Sequence, residues 1–303
     1  MPVVSIELSA EVAAAVADGR PVVALESTLL AHGLPAGRNH EVGVRLERVV
    51  RDAGAVPATI AVLDGVARVG LDADQLARVC GGGLAKLSLR DLGAAAALRR
   101  DGATTVASTA ALAERAGIGV FATGGLGGVH LGMPGEQAWD VSADLDVLAS
   151  TPVTVVCSGV KSVLNIAATV EVLETRSVPV LGYRTDRFPA FYRRESAFTV
   201  PWRVDTPAEA AAVIAAHAEL SSSGVLLVNP VPAEHEMDAE LHERLLTGGM
   251  ALLRERGVRG KDVTPVLLEH FHTASEGVSL ESNVELVADN TRVAAEVAIA
   301  LAG

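Results

Sequence analysis

Three short segments of this chain are apolar or nearly so: PVVAL at 21–25, VTVVC at 153–157, where Thr154 is the one polar residue, and GVLLV at 224–228. A strand with one wet face alternates polar and apolar residues, whereas one without that alternation has to be covered on both faces. Stretches of helical period separate these segments, so the pattern predicts helices on either side of a mostly parallel sheet. A hairpin makes that sheet mixed: ATIAVLDGVARVG (58–70) is two apolar runs joined by Asp64-Gly65, the pair that suits a type I′ turn. No internal repeat or low-complexity linker interrupts the alternation. The expected fold is therefore α/β, a single three-layer α/β/α domain spanning residues 1–303 with a mixed, mostly parallel central sheet.

Local signals place many of the boundaries. Ser9 suits the N-cap of a helix running to about Asp18, with Gly19 able to take the left-handed position after it. AHGLPAGRN reads as a loop, and residues 40–52 as a helix stopped by Gly54. A short helix over 76–79 closes on three glycines, and Lys86 follows them. Further helices are expected at about 91–100 and 109–116, with strands at 103–109, 118–123 and 178–183. The run FPAFYRRESAFTVPWRVD reads as an irregular excursion. Thr206-Pro207-Ala208-Glu209 is a capping box with proline at the first helical position, predicting a helix to about Leu220. The C-terminal third is expected to be helical over about 238–256, 264–275 and 282–301.

The charge balance narrows the function classes. A formal net charge of -12 argues against nonspecific nucleic-acid binding and polybasic membrane attachment. Cys80 and Cys157, the two cysteines, lie in glycine-rich or apolar surroundings and read as reduced thiols of a cytoplasmic protein. The N-terminal stretch carries glutamates and no basic region, unlike a secretory signal. No apolar run reaches the roughly 18–20 residues of a membrane span.

Most groups suited to chemistry fall between residues 121 and 165. TGGLGGVH follows a strand, where a turn can offer backbone N–H groups to an anion or simply pack tightly. It is not a dinucleotide fingerprint, because His130 stands where the third glycine belongs. Asp140, Ser142 and Asp144 alternate at period two. They are either hard oxygen ligands for Mg²⁺ or Mn²⁺, or a helix start with Ser142 as cap and Asp144 in the first turn. Lys161 is expected to begin the helix after VTVVC, where the positive end of the dipole disfavours an ammonium and helps present a neutral, nucleophilic amine. Outside this block, Glu26 ends the strand PVVAL, a costly place for a carboxylate unless it is paired or catalytic. Lys86 is either a solvated side chain or a phosphate contact. Asn283 and Asn290, seven apart on the last helix, share a face and could read an amide-bearing base edge or simply pack.

The motifs VALESTLLAHGLP, DGATTVASTAALA, FATGGLGGVH, DVSADL, VVCSGVKSVLN, GYRTDRFPAFY and SLESNVELVADNTRVAAEVA resemble those of the pseudouridine-5′-phosphate glycosidases, a family that includes indigoidine synthase A-type proteins. The resemblance runs from about residue 20 to 301. It implies reversible cleavage of pseudouridine 5′-phosphate to uracil and ribose 5-phosphate, with one divalent ion, usually Mn²⁺, per subunit of a homotrimer. It also implies roles: Lys161 as the nucleophile forming a Schiff base with C1′, Glu26 as proton donor, and Asp140 as metal ligand. Ser142, Ala143 and Asp144 would touch substrate, Lys86, Val106, Thr123 and His130 would line the sugar-phosphate pocket, and Asn283 would face uracil. The family often has K-x-S-R-R-D around its pocket lysine, where this chain has Lys86-Leu87-Ser88-Leu89-Arg90-Asp91. The loop HLGMPGEQAWD is longer than usual and bears on the metal's surroundings. Two competing readings are a phosphosugar-binding regulator and a Schiff-base aldolase or isomerase.

Overall fold

The computed structural model describes residues 5–131, 140–161, 164–258 and 263–303. In chain order its elements are β1 (Ile6–Leu8), α1 (Ala10–Ala17), β2 (Val22–Leu25), α2 (Arg38–Ala53), β3 (Val56–Leu63), β4 (Val66–Val69), α3 (Ala73–Cys80), β5 (Ala85–Leu87), α4 (Leu89–Ala97) and β6 (Gly102–Thr104). There follow α5 (Val106–Arg115), β7 (Val120–Ala122), β8 (Val129–His130), α6 (Ala143–Ser150), β9 (Thr154–Cys157), β10 (Leu164–Asn165), α7 (Ile166–Thr175) and β11 (Val180–Tyr183). Last come β12 (Trp202–Val204), α8 (Pro207–Ala218), β13 (Leu226–Val228), α9 (Ala239–Arg256), α10 (Val263–Ala274) and α11 (Val278–Ala302).

Eleven strands form one sheet in the order β1-β4-β3-β2-β7-β9-β13-β11-β12, with β6 and then β5 branching from β3. The run from β3 through β2, β7, β9, β13 and β11 to β12 is parallel throughout. The antiparallel pairs lie at one side, where β3 meets β4 and β6. Asp64 and Gly65 both take positive φ, 54° and 79°, as a type I′ turn requires.

Burial explains these apolar strands. Within β2, Val22 and Ala24 face a core built with α1, α4, α5, α6 and α7, whereas Val23 and Leu25 face one built with α2, α8 and α11. Each strand is thus covered on both sides, which is the three-layer arrangement. Among the described residues no helix is long and apolar enough to cross a membrane.

Four expectations need correction. The strand at 103–109 ends at Thr104, and α5 starts at Val106 because Thr105 and Ser108 form a capping box. The β-branched run misled, and the cap decides. Part of the expected loop after β2 is a π-helical turn, Leu29–Gly33. The last helix starts at Val278, earlier than expected. Lys161 does not begin a helix: β10 and the Asn165 cap intervene before α7. Helix-dipole activation of Lys161 therefore does not apply.

Candidate active site

The chain leaves β2 for β3 on one side, while β7 leads to β9 on the other, so the connections diverge between β2 and β7. In parallel sheets such a switch point leaves a crevice at the carboxyl ends of the strands. Here Glu26 follows β2, Thr123 follows β7, and Ser158 to Lys161 follow β9. A cavity of about 300 Å³ opens there.

The residues singled out from the sequence converge on it. Glu26, Lys86, Val106, Thr123, His130, Asp140, Ser142, Ala143, Asp144, Lys161 and Asn283 all line the cavity. Thr123 donates its hydroxyl to Glu26. Burial raises the Glu26 carboxyl above the ordinary carboxylate range, an effect that the Lys161 charge and the Thr123 hydrogen bond only partly offset. The exit of β2 is fixed from below: Thr104 N–H donates to Ser27 Oγ at 2.8 Å, and Thr109 donates to Thr104 Oγ1 at 2.9 Å. The polar β-branched run that resembled a strand is thus a buried hydroxyl network under Glu26.

Lys161 is held by the glycine-rich turn. Leu126 N–H donates to the Gly159 carbonyl at 2.9 Å, and Lys161 N–H returns to the Leu126 carbonyl at 3.3 Å. His130 lies on β8, paired with β10, and burial pushes its imidazole below the ordinary histidine range. Its Nδ1 stands 3.9 Å from the half-exposed Asp140 carboxylate. Ser162, Val163 and residues 132–139 of the HLGMPGEQAWD loop lie outside the described residues.

The Asp140-Ser142-Asp144 alternation resolves into a helix start. Ser142 caps α6, its Oγ accepting from Asp144 N–H. Asp144 is buried, and both of its oxygens accept backbone N–H groups at 2.9 Å, one from Ala107 in the first turn of α5 and one from Gly127. One carboxylate thus ties the glycine turn to a helix N-terminus, where negative charge is favoured. Gly127 has no room for a β-carbon, which would run into Ser142 and Asp144. Asp140, which also lines the cavity, is not drawn into this cap, and among the described residues its carboxylate stands only against His130.

The two asparagines of α11 also separate. Asn290 is fully buried; it donates to the Thr123 carbonyl at 2.9 Å and to Ser158 Oγ at 3.1 Å, and accepts from Asn229 at 3.0 Å. It fastens the ends of β7, β9 and β13 to the last helix and has no capacity left for a ligand. Asn283 lines the cavity, and its Oδ1 has no partner among the described residues. Asn290→Ala should lower stability by about 2–4 kcal/mol, since buried donors and acceptors lose their partners; equilibrium denaturation measures this.

Some lining residues carried no readable sequence signal. Pro265 and Leu268 come from α10, and His32 from the π-helical turn. Only the three-dimensional packing brings them in. Arg90 lines the cavity too, within the very segment that departs from the family pattern.

The model of the indigoidine synthase A like protein family matches residues 11–300. The chain belongs to that family. Its relatives include the pseudouridine-5′-phosphate glycosidase of Salinispora tropica, 53% identical over 96% of this chain and 90% of that protein. The enzyme of the same name from Symbiobacterium thermophilum is 52% identical, covering 96% of each. Family members of known structure share the fold. The prealnumycin C-glycosynthase AlnA in complex with ribulose 5-phosphate superposes with a TM-score of 0.90 at 40% identity, covering 99% of this chain and 98% of that one. An indigoidine synthase A-like protein from Thermotoga maritima gives 0.89 at 35% identity, covering 99% and 97%.

Proposed function

We propose that this chain cleaves the C-glycosidic bond of pseudouridine 5′-phosphate to uracil and ribose 5-phosphate through an imine on Lys161. The observation that carries the reading is the pairing of Glu26, a carboxyl that burial raises above the ordinary range, with Lys161 across one cavity. The names of the relatives and the sugar phosphate bound by AlnA support the substrate class.

The chemistry suits such a pair. An ordinary glycosidase protonates a heteroatom leaving group between two carboxylates; a carbon leaving group offers no lone pair to protonate. In the proposed route the Lys161 amine adds to C1′ while O4′ departs and takes a proton. The nitrogen lone pair then forms the C1′=N bond and the C1′–C5 electron pair passes to uracil. Glu26 delivers a proton to C5. Water hydrolyses the imine, releasing ribose 5-phosphate and the free amine. The overall balance is substrate plus water to two products.

Asp140 and the neighbouring His130 would stand beside the ion. An Asp140 carboxylate oxygen is a hard donor of the kind that Mn²⁺ and Mg²⁺ take, and His130 would add a nitrogen. When bound, the ion would supply positive charge against substrate oxygens. Lys86 in the middle of β5 and Asn283 on α11 are the proposed sugar-phosphate and uracil contacts.

Uracil release from pseudouridine 5′-phosphate, followed by chromatography, tests the reading; no release by the metal-supplemented protein refutes it. Chelation should abolish release, Mn²⁺ should restore it, and the melting temperature should hardly move. A steep fall in melting temperature on chelation would instead mark a structural ion.

A further inference from the structure

The irregular excursion after β11 returns to the site at Phe191. That residue takes a positive φ of 62°, a region that a bulky side chain enters only against steric resistance. Such a conformation persists where the surroundings over-determine it, and it recurs at functional sites. Ala190 and Arg193 exchange backbone hydrogen bonds at 3.0 and 3.3 Å, closing the turn around Phe191. The residue is 3% exposed, its ring meets that of Tyr192 edge-on with centroids 4.7 Å apart, and it lines the cavity. A residue needed only to close the turn would be glycine or asparagine, which enter the left-handed region readily. Phenylalanine there puts the emphasis on the ring.

Backbone and ring reach different sides of the clamp that presents Lys161. One side is the glycine turn at 124–126, the other the exit of β9 at 158–161, and besides the Leu126 bonds the Ser158 N–H donates across to the Gly124 carbonyl at 2.9 Å. Phe191 N–H donates to the Ser158 carbonyl at 3.0 Å, so its backbone holds the β9 side. Its ring holds the turn: a β-carbon on Gly125 would stand 2.6 Å and 2.7 Å from the ring atoms Cδ2 and Cε2. Gly125 does not take a positive φ, so the ring, and not the backbone, is what requires glycine there. We infer that Phe191 is a positioning residue for Lys161, its N–H and its ring bracing the two sides of the clamp against each other. The inference rests on the reading of Lys161 as the nucleophile.

Two substitutions separate the ring from the backbone. Phe191→Gly keeps the left-handed turn and its N–H on Ser158 and deletes the ring; Gly125→Ala keeps the ring and puts a methyl group in its way. Each should slow borohydride trapping of ribose 5-phosphate on Lys161 by about a hundredfold, the cost of misplacing a reacting group by roughly 1 Å. For uracil release kcat should fall alike and KM should stay within about threefold, because the nucleophile is displaced and the binding contacts are not. In the Phe191→Gly background Gly125→Ala should add little, since the ring it strikes is gone. A second readout needs no substrate: acylation of lysines by an amine reagent, followed by peptide mass. Lys161 should be modified faster in both variants, and Lys86, carried by β5, at the wild-type rate. Phe191→Leu leaves apolar bulk in place and should show an intermediate loss; with Gly125→Ala it decides the matter if Phe191→Gly does not fold. Lower melting temperatures with wild-type trapping and acylation rates would make the ring structural only, and a raised KM at wild-type kcat would make it a contact of the base. Either result overturns the inference, as do additive losses across the double-mutant cycle. A wild-type protein that traps no sugar phosphate would refute the imine alone, and the acylation rates would still decide the positioning role.

Discussion

Lys161→Ala should lose turnover entirely and with it the ability to trap a sugar phosphate. Borohydride added to the wild-type protein with ribose 5-phosphate should reduce the imine and leave the sugar phosphate's mass, less the water lost and plus the two hydrogens of reduction, fixed at Lys161. Peptide mass spectrometry reads that adduct directly. No other lysine should take its place: Lys86 is carried by β5, whereas the Leu126–Gly159 hydrogen bonds present Lys161. The fold should survive, because Lys161 is in neither the sheet nor a helix and its backbone contacts to Leu126 do not need its side chain. Full activity in Lys161→Ala, or an adduct formed elsewhere, would remove the imine from the mechanism.

Glu26→Gln should separate the two chemical steps. Glutamine keeps the shape of the acid and has no proton of comparable acidity, so uracil release should fall by about 10²–10⁴-fold, the usual worth of general acid catalysis. The Lys161 adduct with ribose 5-phosphate should still form, since it needs no proton at a carbon. pH dependence provides an independent check. Burial raises the Glu26 carboxyl, so the acid form needed for the reaction persists to higher pH, and activity falls as pH rises through that raised value. The variant should lose that limb. Stability should move the other way. A carboxyl with a raised folded-state value binds more protons folded than unfolded, so its contribution weakens as pH rises from the unfolded to the folded value. Glutamine escapes this, so Glu26→Gln should melt higher than wild type near neutral pH and show less advantage in acid. Near-normal uracil release by the variant would transfer the acid's role to another group, with His130 the nearest candidate.

Local sequence was informative wherever one short segment determines its own conformation. PVVAL and VTVVC read as covered strands because they show no alternation of polar and apolar residues, and they are β2 and β9. Asp64-Gly65 fixes its turn, and Thr206 with Glu209 starts α8 through a reciprocal cap. Residues 103–109 failed because their β-branched composition and their capping residue point to different structures. Lys161 failed for a different reason. The segment after β9 pairs with the distant glycine turn at Leu126 and with β8, and no local pattern announces such a partner. At the site, the gathering of Glu26, Lys161 and Asp140 at one cavity could be anticipated from strand ends and motif resemblance. The commitments of Asp144 to Ala107 and Gly127, and of Asn290 to Thr123 and Asn229, could not. Each depends on which backbone groups packing leaves without partners.

The placement of Glu26 and Lys161 on opposite sides of β7 also bears on how this protein comes to be active. Their proximity requires β2, β7 and β9, which lie far apart in the chain, to be aligned in parallel. Parallel pairing of distant segments forms slowly, because the intervening loops must close before any contact stabilises them. Helices such as α2 and α8 depend on local hydrogen bonds and can form first. During refolding, helical signal should therefore return ahead of catalysis, and no isolated half of the chain can contain a working centre.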